Sequence, residues 1–221
     1  LQRYFRAMMW YGHTGFFINP REPDVTQEEA ISLTRRAMLI SLSLTGTAKE
    51  AWSAIYEPTS YLVGKSDDLG AEDIERAVAQ VYGSAQPDLD DLGDQAKIDS
   101  VREALNELPA PKILSAAVPD LSEDSQGESS REGQQRSFRV MGQRYLPDSY
   151  AFQQLVWEHV GTLDNKRTLP MGLDVMSVLG SAEAYRLATE LYGQQQYAEW
   201  SSQIRKVEQE FSTLDPEVWP R

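Results

Sequence analysis

The chain has 221 residues, and 41% of them are hydrophobic, which is enough to fill one substantial core or two small ones. Its 34 acidic residues outnumber 21 basic ones, giving a formal charge of −13. This charge excludes nucleic acid as the expected partner, because neutralising phosphates requires a basic surface. The absence of cysteine excludes disulfides, thiolate zinc sites and a thiol nucleophile. The longest apolar tract is too short for a transmembrane segment, which takes about 20 residues.

Helical periodicity runs through most of the chain. Apolar residues recur every three or four positions in six windows, at residues 1–9, 28–44, 48–56, 74–82, 184–192 and 197–211. Thr26 with Glu29 has the spacing of a capping box, in which a hydroxyl and a carboxylate satisfy free backbone amides, and Thr47 with Glu50 repeats it. The helix at 28–44 turns apolar on most sides in its second half, so we expect it to be central.

Signals for β-strands are few. Residues 60–63, 112–116 and 137–141 have short, mixed apolar patterns that are compatible with a minor sheet. Residues 119–135 are rich in Ser, Glu, Gly and Gln, and they bury too little apolar area to offset the entropy lost on ordering. We therefore expect a mobile surface loop at 119–135, with the strands on either side of it pairing.

The predicted fold is mainly α, a multi-helix orthogonal or antiparallel bundle with at most a small two- or three-stranded sheet. We expect a single domain over residues 1–221. Leu1 begins inside a helical pattern without an initiator methionine, and the final residues have the pattern of a helix start. We interpret the chain as an internal segment of a longer polypeptide.

Residues 88–99 approach the spacing of an EF-hand loop, which wraps calcium with oxygen ligands at alternate positions and a carboxylate at its end. Asp88, Asp90 and Asp99 fit this spacing, but Leu92 interrupts it. Acidic residues are also expected near a helix N-terminus, and we favour that interpretation. We expect no cofactor, with calcium at the three aspartates as the alternative.

A second acidic group consists of Glu57, Asp67 and Asp68. Paired carboxylates that converge in a cleft can act as general acid and base, or hold a divalent ion. Asp67 or Asp68 would equally cap the helix that follows, since aspartate readily accepts hydrogen bonds from free amides. We favour the capping role.

Several charged residues lie inside apolar, aromatic-rich runs: Arg3, Arg6, Arg139, Arg144 and Asp148. An unpaired ion in a packed interior costs several kcal/mol, so these side chains should pair or line a cavity. Arg139 and Arg144 would form charge-assisted pairs with Asp148 or Glu57. A structural salt-bridge network is the favoured interpretation, and the functional alternative makes Arg144 the anchor for an anion.

Four blocks of the chain carry a family resemblance: RYFRAMMWYG at 3–12, IYEPTSYLVGKSDDL at 55–69, FRVMGQRYLPDSYAFQQLV at 138–156 and LPMGLDVMSVLGSAEAY at 169–185. They resemble the domain of unknown function 3160 family, in the same order and over most of the chain. That family comprises long bacterial and archaeal proteins, many of them secreted or lipoprotein-like. The resemblance implies an extracellular or cell-envelope location and a longer parent polypeptide as partner, and it implies no catalytic residue.

The sequence therefore predicts a non-catalytic binding or scaffolding segment of a cell-envelope or secreted protein. We expect a pocket of arginine and aromatic side chains for an anionic, sugar or peptide ligand, formed by Arg6, Trp10, Tyr11, Tyr56, Glu57, Arg139, Arg144 and Asp148. The alternative is a carboxylate- or metal-dependent hydrolase that uses Glu57, Asp67, Asp68 or Asp148. It requires two of these carboxylates to converge, at least one with a shifted pKa. Whether the chain is an enzyme stays open at this point.

Overall fold

The computed structural model describes residues 2–20, 25–113, 136–142 and 144–214. In this part of the chain the secondary structure is mainly helical, as predicted. The helices are α1 Gln2–His13, α2 Gln27–Ser43, α3 Gly46–Val63, α4 Ala71–Tyr82, α5 Gln95–Asn106, α6 Pro147–Gln154, α7 Gly172–Val178, α8 Ala182–Glu190 and α9 Trp200–Ser212. Two short strands, β1 Phe16–Phe17 and β2 Ser137–Phe138, form an antiparallel sheet, and short 3₁₀ helices cover Leu89–Gly93 and Gln194–Gln196.

The described residues form two compact units. The first contains residues up to 113 together with 136–142 and Arg144, and the second contains residues 145–214. Each unit has its own cluster of buried apolar side chains. The helix predicted to be central, α2, belongs to the first cluster.

The core of the first unit is made by α2, α4 and α5, which pack against one another. α2 begins with the predicted capping box: the Glu29 amide donates to the Thr26 hydroxyl, and the Thr26 amide donates to the Glu29 carboxylate at 2.8 Å. Behind this cap, helical spacing places Ala37 and Met38 at zero exposure. Burying a side chain the size of methionine contributes about 1.5–3 kcal/mol, so this face of α2 anchors the unit.

The sheet joins the beginning of the first unit to its end. Phe16 lies opposite Phe138, and Phe17 lies opposite Ser137. The other edge of β2 is occupied by the segment before α4, because the Leu69 amide donates to the Ser137 carbonyl at 3.1 Å. The sheet was expected between residues 112–116 and 137–141. β2 confirms the second of these, but its partner is β1, and Lys112 and Ile113 are not in a strand.

The core of the second unit surrounds Trp200, the first residue of α9, which is completely buried. Its ring stacks on Tyr185 of α8, with centroids 5.3 Å apart. α7 packs on α8, and α6 and α9 also contact α7. The Ser181 hydroxyl accepts a hydrogen bond from the Ala184 amide and so caps α8. These contacts give four short helices one shared core.

Two local predictions are wrong for identifiable reasons. Residues 60–63 belong to α3 rather than to a strand, because the helix continues through Pro58 to Val63, with Gly64 as its C-cap. The expected capping box at Thr47 does not form, since α3 already begins at Gly46 and its N-cap is Thr45. The loop predicted at 119–135 lies outside the described residues. No helix among the described residues is long and apolar enough to cross a membrane.

Candidate functional site

The strongest candidate site lies in the first unit, where the segment after β2 passes between α3 and residues 66–69. The indole of Trp52 donates a hydrogen bond to the Val140 carbonyl at 2.8 Å. On the other side of the segment, Ser66 and Arg144 form an antiparallel bridge. Backbone pairing and one indole thus fix the position from which the Arg144 side chain extends.

The Arg144 guanidinium is held by uncharged groups. It donates to the Ser60 hydroxyl at 3.2 Å and to the Thr59 hydroxyl at 2.8 Å, and it lies over the Tyr56 ring at 4.3 Å from the ring centroid. Tyr56 in turn stacks on Trp52, with centroids 4.4 Å apart and planes 15° apart. No carboxylate among the described residues forms an ion pair with Arg144. The site therefore presents a half-buried cation whose orientation is fixed and whose charge is not neutralised by an ion pair within that part of the chain.

Arg139 has a different role, although only a few residues separate it from Arg144. Its Nε lies 3.3 Å from Oδ1 of Asp68, and both side chains are almost completely buried. Its Nη1 donates to the Gly12 carbonyl at the end of α1, 2.6 Å away. The prediction that this arginine needs a buried carboxylate is confirmed, but the partner is Asp68 rather than Asp148 or Glu57. The ion pair ties Asp68 to the segment after β2, and the hydrogen bond to Gly12 ties the end of α1 to the same arginine.

Gly142 lies directly against the side chains of Ser66 and Asp68. A Cβ atom at this position would lie 2.0 Å from the Ser66 hydroxyl oxygen and 2.9 Å from a carboxylate oxygen of Asp68. Both distances are far below van der Waals contact, so any larger residue at position 142 would force the Ser66 and Asp68 side chains to shift.

Asp67 is the carboxylate with the clearest electrostatic perturbation. Burial raises its pKa, because the charged form loses hydration, while hydrogen bonds from the Ile113 and Lys112 amides and the Lys112 charge act in the opposite direction. The Ile113 amide donates to Oδ2 of Asp67 at 2.7 Å. The predicted capping role is wrong for both aspartates, since the Gly70 amide at the start of α4 donates to Asp73.

The structure separates most of the other predicted site residues. Arg3, Arg6, Trp10 and Tyr11 are exposed on α1, which buries no residue. The expectation of partners for Arg3 and Arg6 is therefore wrong: an arginine in an apolar run needs an ion-pair partner only if that run is covered.

The remaining predicted carboxylates are exposed. Glu57 lies on the surface of α3, and Asp148 lies in the first turn of α6 in the second unit. The Asp148 carboxylate accepts a hydrogen bond from the next amide, that of Ser149. The expected pairing of Arg144 with Asp148 or Glu57 is replaced by the two hydroxyls and the ring of Tyr56.

The candidate calcium ligands are engaged separately. Asp88 accepts from the Asp90 amide at the start of the first 3₁₀ helix, and Asp99 forms an ion pair with Arg102 at 2.8 Å. Within the described ranges, no group of three acidic or histidine side chains is arranged to hold a metal ion. Asp88 caps the N-terminus of the 3₁₀ helix, as in the favoured interpretation, and Asp94 caps α5.

The most deeply buried ion pair among the described residues was not predicted. Arg167 and Asp174 of the second unit are 1% and 0% exposed, with 2.7 Å between Nη2 and Oδ2. Arg167 also donates to the Leu155 carbonyl and to the Gln194 side chain. Asp174 shares the buried face of α7 with Ser177 and Val178. This helical spacing is the sequence signal that could have indicated its burial. Arg167 lies in a connecting segment with no periodic pattern.

Comparison with known proteins identifies the family. The model of a family described as protein of unknown function, DUF3160, matches residues 1–221, the whole chain. The chain belongs to this family. No curated protein and no solved structure shows detectable similarity to this DUF3160 chain.

Proposed function

We propose that this chain is a non-catalytic binding or scaffolding segment of a longer cell-envelope or secreted protein, and that Arg144 binds an anionic group of its ligand. The observation that carries the proposal is the environment of the guanidinium, which two hydroxyls and an aromatic ring hold without an ion-pair partner among the described residues. A carboxylate on a sugar or at a peptide terminus fits the planar fork of arginine.

The geometry favours binding because the cation is already oriented. Thr59 and Ser60 fix the two terminal nitrogens, and stacking on Tyr56 restricts the rest of the side chain. A preorganised side chain loses less entropy when a ligand binds. The neighbouring Arg139 is already paired with Asp68, so of these two arginines it is Arg144 that offers its charge to a ligand.

The test uses two anionic probes, glucuronate and trialanine with a free C-terminus, and glucose as the uncharged counterpart of glucuronate. Binding is measured by titration calorimetry and by amide chemical shifts around residues 56–68. We expect an anionic probe to bind and glucose not to bind. Arg144→Gln should abolish binding, and Arg144→Lys should weaken it because lysine lacks the fork.

The matched control is Arg76→Gln, which removes an exposed arginine paired with Asp73 in the same unit and should leave binding unchanged. Chemical shifts of residues far from the site show whether each variant is folded. The proposal is refuted if neither anionic probe binds, or if Arg144→Gln binds as well as the unaltered chain.

A carboxylate- or metal-dependent hydrolase is the second candidate, and the raised pKa of Asp67 is the observation that favours it. The expected convergence of carboxylates is limited, because Asp68 is paired with Arg139, and Glu57 and Asp148 are exposed. Assays with nitrophenyl esters, phosphates and glycosides, with and without added divalent metal, test this candidate. Turnover that Asp67→Asn abolishes would support it, and no turnover of any substrate would refute it.

A further inference from the structure

The outward side of α3 is a second feature of the first unit, distinct from the Arg144 site. α3 contacts its unit through Trp52, Tyr56, Thr59 and Ser60, which are half-buried. None of its 18 residues is fully buried. The helix therefore uses an aromatic and hydroxyl face for packing and leaves its aliphatic residues on the other side.

These aliphatic residues follow the spacing of a helix-packing seam. The exposed positions alternate three and four residues apart: Ala48, Ala51, Ile55, Pro58 and Leu62. This is the repeat with which one helix packs along another, and small residues within it allow close approach. Ala54 and Tyr61 extend the same exposed face, and Leu62 is 56% exposed. We call this set of seven residues the α3 face.

Acidic residues border the α3 face on one side. Glu50 and Glu57 are two helical turns apart and exposed, and at helical spacing they lie beside Ala54 and Tyr61. Lys49 points to a different side of the helix, since it pairs with Glu75 of α4 at 3.7 Å. A helix that covers the α3 face would therefore meet negative charge at this edge and would fit best with basic residues there.

Helix α1 has the complementary properties. Its ionised side chains are Arg3 and Arg6, and it has no acidic residue, although the chain as a whole carries a charge of −13. It buries none of its residues. Its large apolar side chains are exposed: Tyr4, Phe5, Met9, Trp10 and Tyr11. α1 thus presents bulky aromatic groups and positive charge, whereas the α3 face presents small aliphatic groups beside negative charge.

We propose that the α3 face binds α1 of a second copy of this chain. In a two-fold symmetric dimer the contact occurs twice, because α1 of each copy meets the α3 face of the other. α1 has 12 residues and is about 18 Å long. One such helix contact is small beside the roughly 800 Å² per partner of a standard interface, so the reciprocal pair is needed and the dimer is expected to be weak.

Sedimentation equilibrium of the 221-residue chain, extended into the high micromolar range, tests the proposal. The chain should form a concentration-dependent dimer. Ile55→Glu in the α3 face should raise the dissociation constant by about tenfold or more, because it places charge in the apolar centre of the interface. Arg6→Glu in α1 should weaken the dimer as well, since it sets like charges against Glu50 and Glu57.

Mixing the two variants gives a further test. A pair of one Ile55→Glu copy and one Arg6→Glu copy retains one intact contact, between the unaltered α1 of the first and the unaltered α3 face of the second. Its other contact carries both substitutions, so its summed loss lies between those of the two homodimers, and the mixture should dimerise more strongly than the weaker variant alone. Leu191→Glu is the matched control, because Leu191 is an exposed leucine of the second unit, 68% accessible, and its substitution should leave the dimer unchanged.

Circular dichroism and melting temperature establish that each variant is folded, which both surface positions should allow. A chain that stays monomeric at every concentration overturns the proposal, as does a dimer that withstands both substitutions. Co-sedimentation of a monomeric chain with phosphatidylglycerol vesicles would assign these helices to a lipid surface instead, and that result also overturns it.

Discussion

Replacing Asp174 by Asn should strongly destabilise the second unit. The Asp174 carboxylate accepts three hydrogen bonds, from Arg167 Nη2 at 2.7 Å, from the Met171 amide at 2.8 Å and from the Trp200 indole at 3.1 Å. Asn keeps the shape of the side chain but removes the negative charge. It also introduces an N–H donor where three other donors converge.

The expected loss is about 3–5 kcal/mol, because the substitution leaves the buried guanidinium of Arg167 without a counterion. A typical domain is stable by about 5–15 kcal/mol, so this change consumes a large part of the total. Replacing both partners, as in Arg167→Met with Asp174→Leu, removes the uncompensated charge. The double variant should therefore be more stable than Asp174→Asn alone.

Urea denaturation followed by circular dichroism and tryptophan fluorescence measures these differences. Arg186→Gln is the control: Arg186 forms two ion pairs with Glu183 and Glu190 on the surface of α8, and their loss should leave stability unchanged. A loss below about 1 kcal/mol for Asp174→Asn, the value of a surface pair, would refute the reasoning. A double variant less stable than the single one would refute it too.

Three further predictions concern the first unit. Gly142→Ala should cost about 1–3 kcal/mol of stability in urea unfolding, because its Cβ would overlap the Ser66 hydroxyl. Gly93→Ala, where a Cβ meets nothing, should be neutral. Asp67→Asn should stabilise the unit near neutral pH. Folding raises the pKa of Asp67, so the protonated carboxyl favours the folded state below its ordinary pKa of 3.8, and this contribution to stability is lost as the pH rises through the pKa of the folded state. Asn carries no charge at any pH and therefore avoids this loss. The gap between variant and parent melting temperatures should close in acid, and a pH-independent gap would contradict this cause. Trp52→Phe removes the hydrogen bond to the Val140 carbonyl and should cost about 0.5–1.5 kcal/mol, seen as a lower urea midpoint. An unchanged midpoint would show that this bond does not hold the segment.

Periodicity and capping chemistry predicted the helices whose apolar face is covered. α2 is the clearest case, because its cap at Thr26 and its buried Ala37 and Met38 follow from spacing alone. The same periodicity also predicted α1 and α3 correctly as helices, but it did not show that neither of them buries a residue. A repeat identifies an apolar face but contains no information on whether another element covers it, and in α3 the packed side is the one with Trp52 and Tyr56.

The candidate site was predictable in part for the same reason. The rule that a buried ion needs a partner correctly implied a carboxylate for Arg139, but only the backbone pairing at Leu69 brings Asp68 to it. For Arg144 the partners are hydroxyls of α3, which the rule does not anticipate. Arg167 was missed because it lies outside any helix or strand, so no period marks it as buried.

The pairing of β1 with β2 has a consequence for synthesis on the ribosome. Phe16 emerges early, but its partner Phe138 follows only after α2, α4 and α5 have been translated. Closing so long a loop is entropically costly and slow, so the nascent chain must wait with one sheet edge unpaired. That interval is when premature release or a chaperone would matter most, and a truncation before residue 137 should yield an aggregation-prone product.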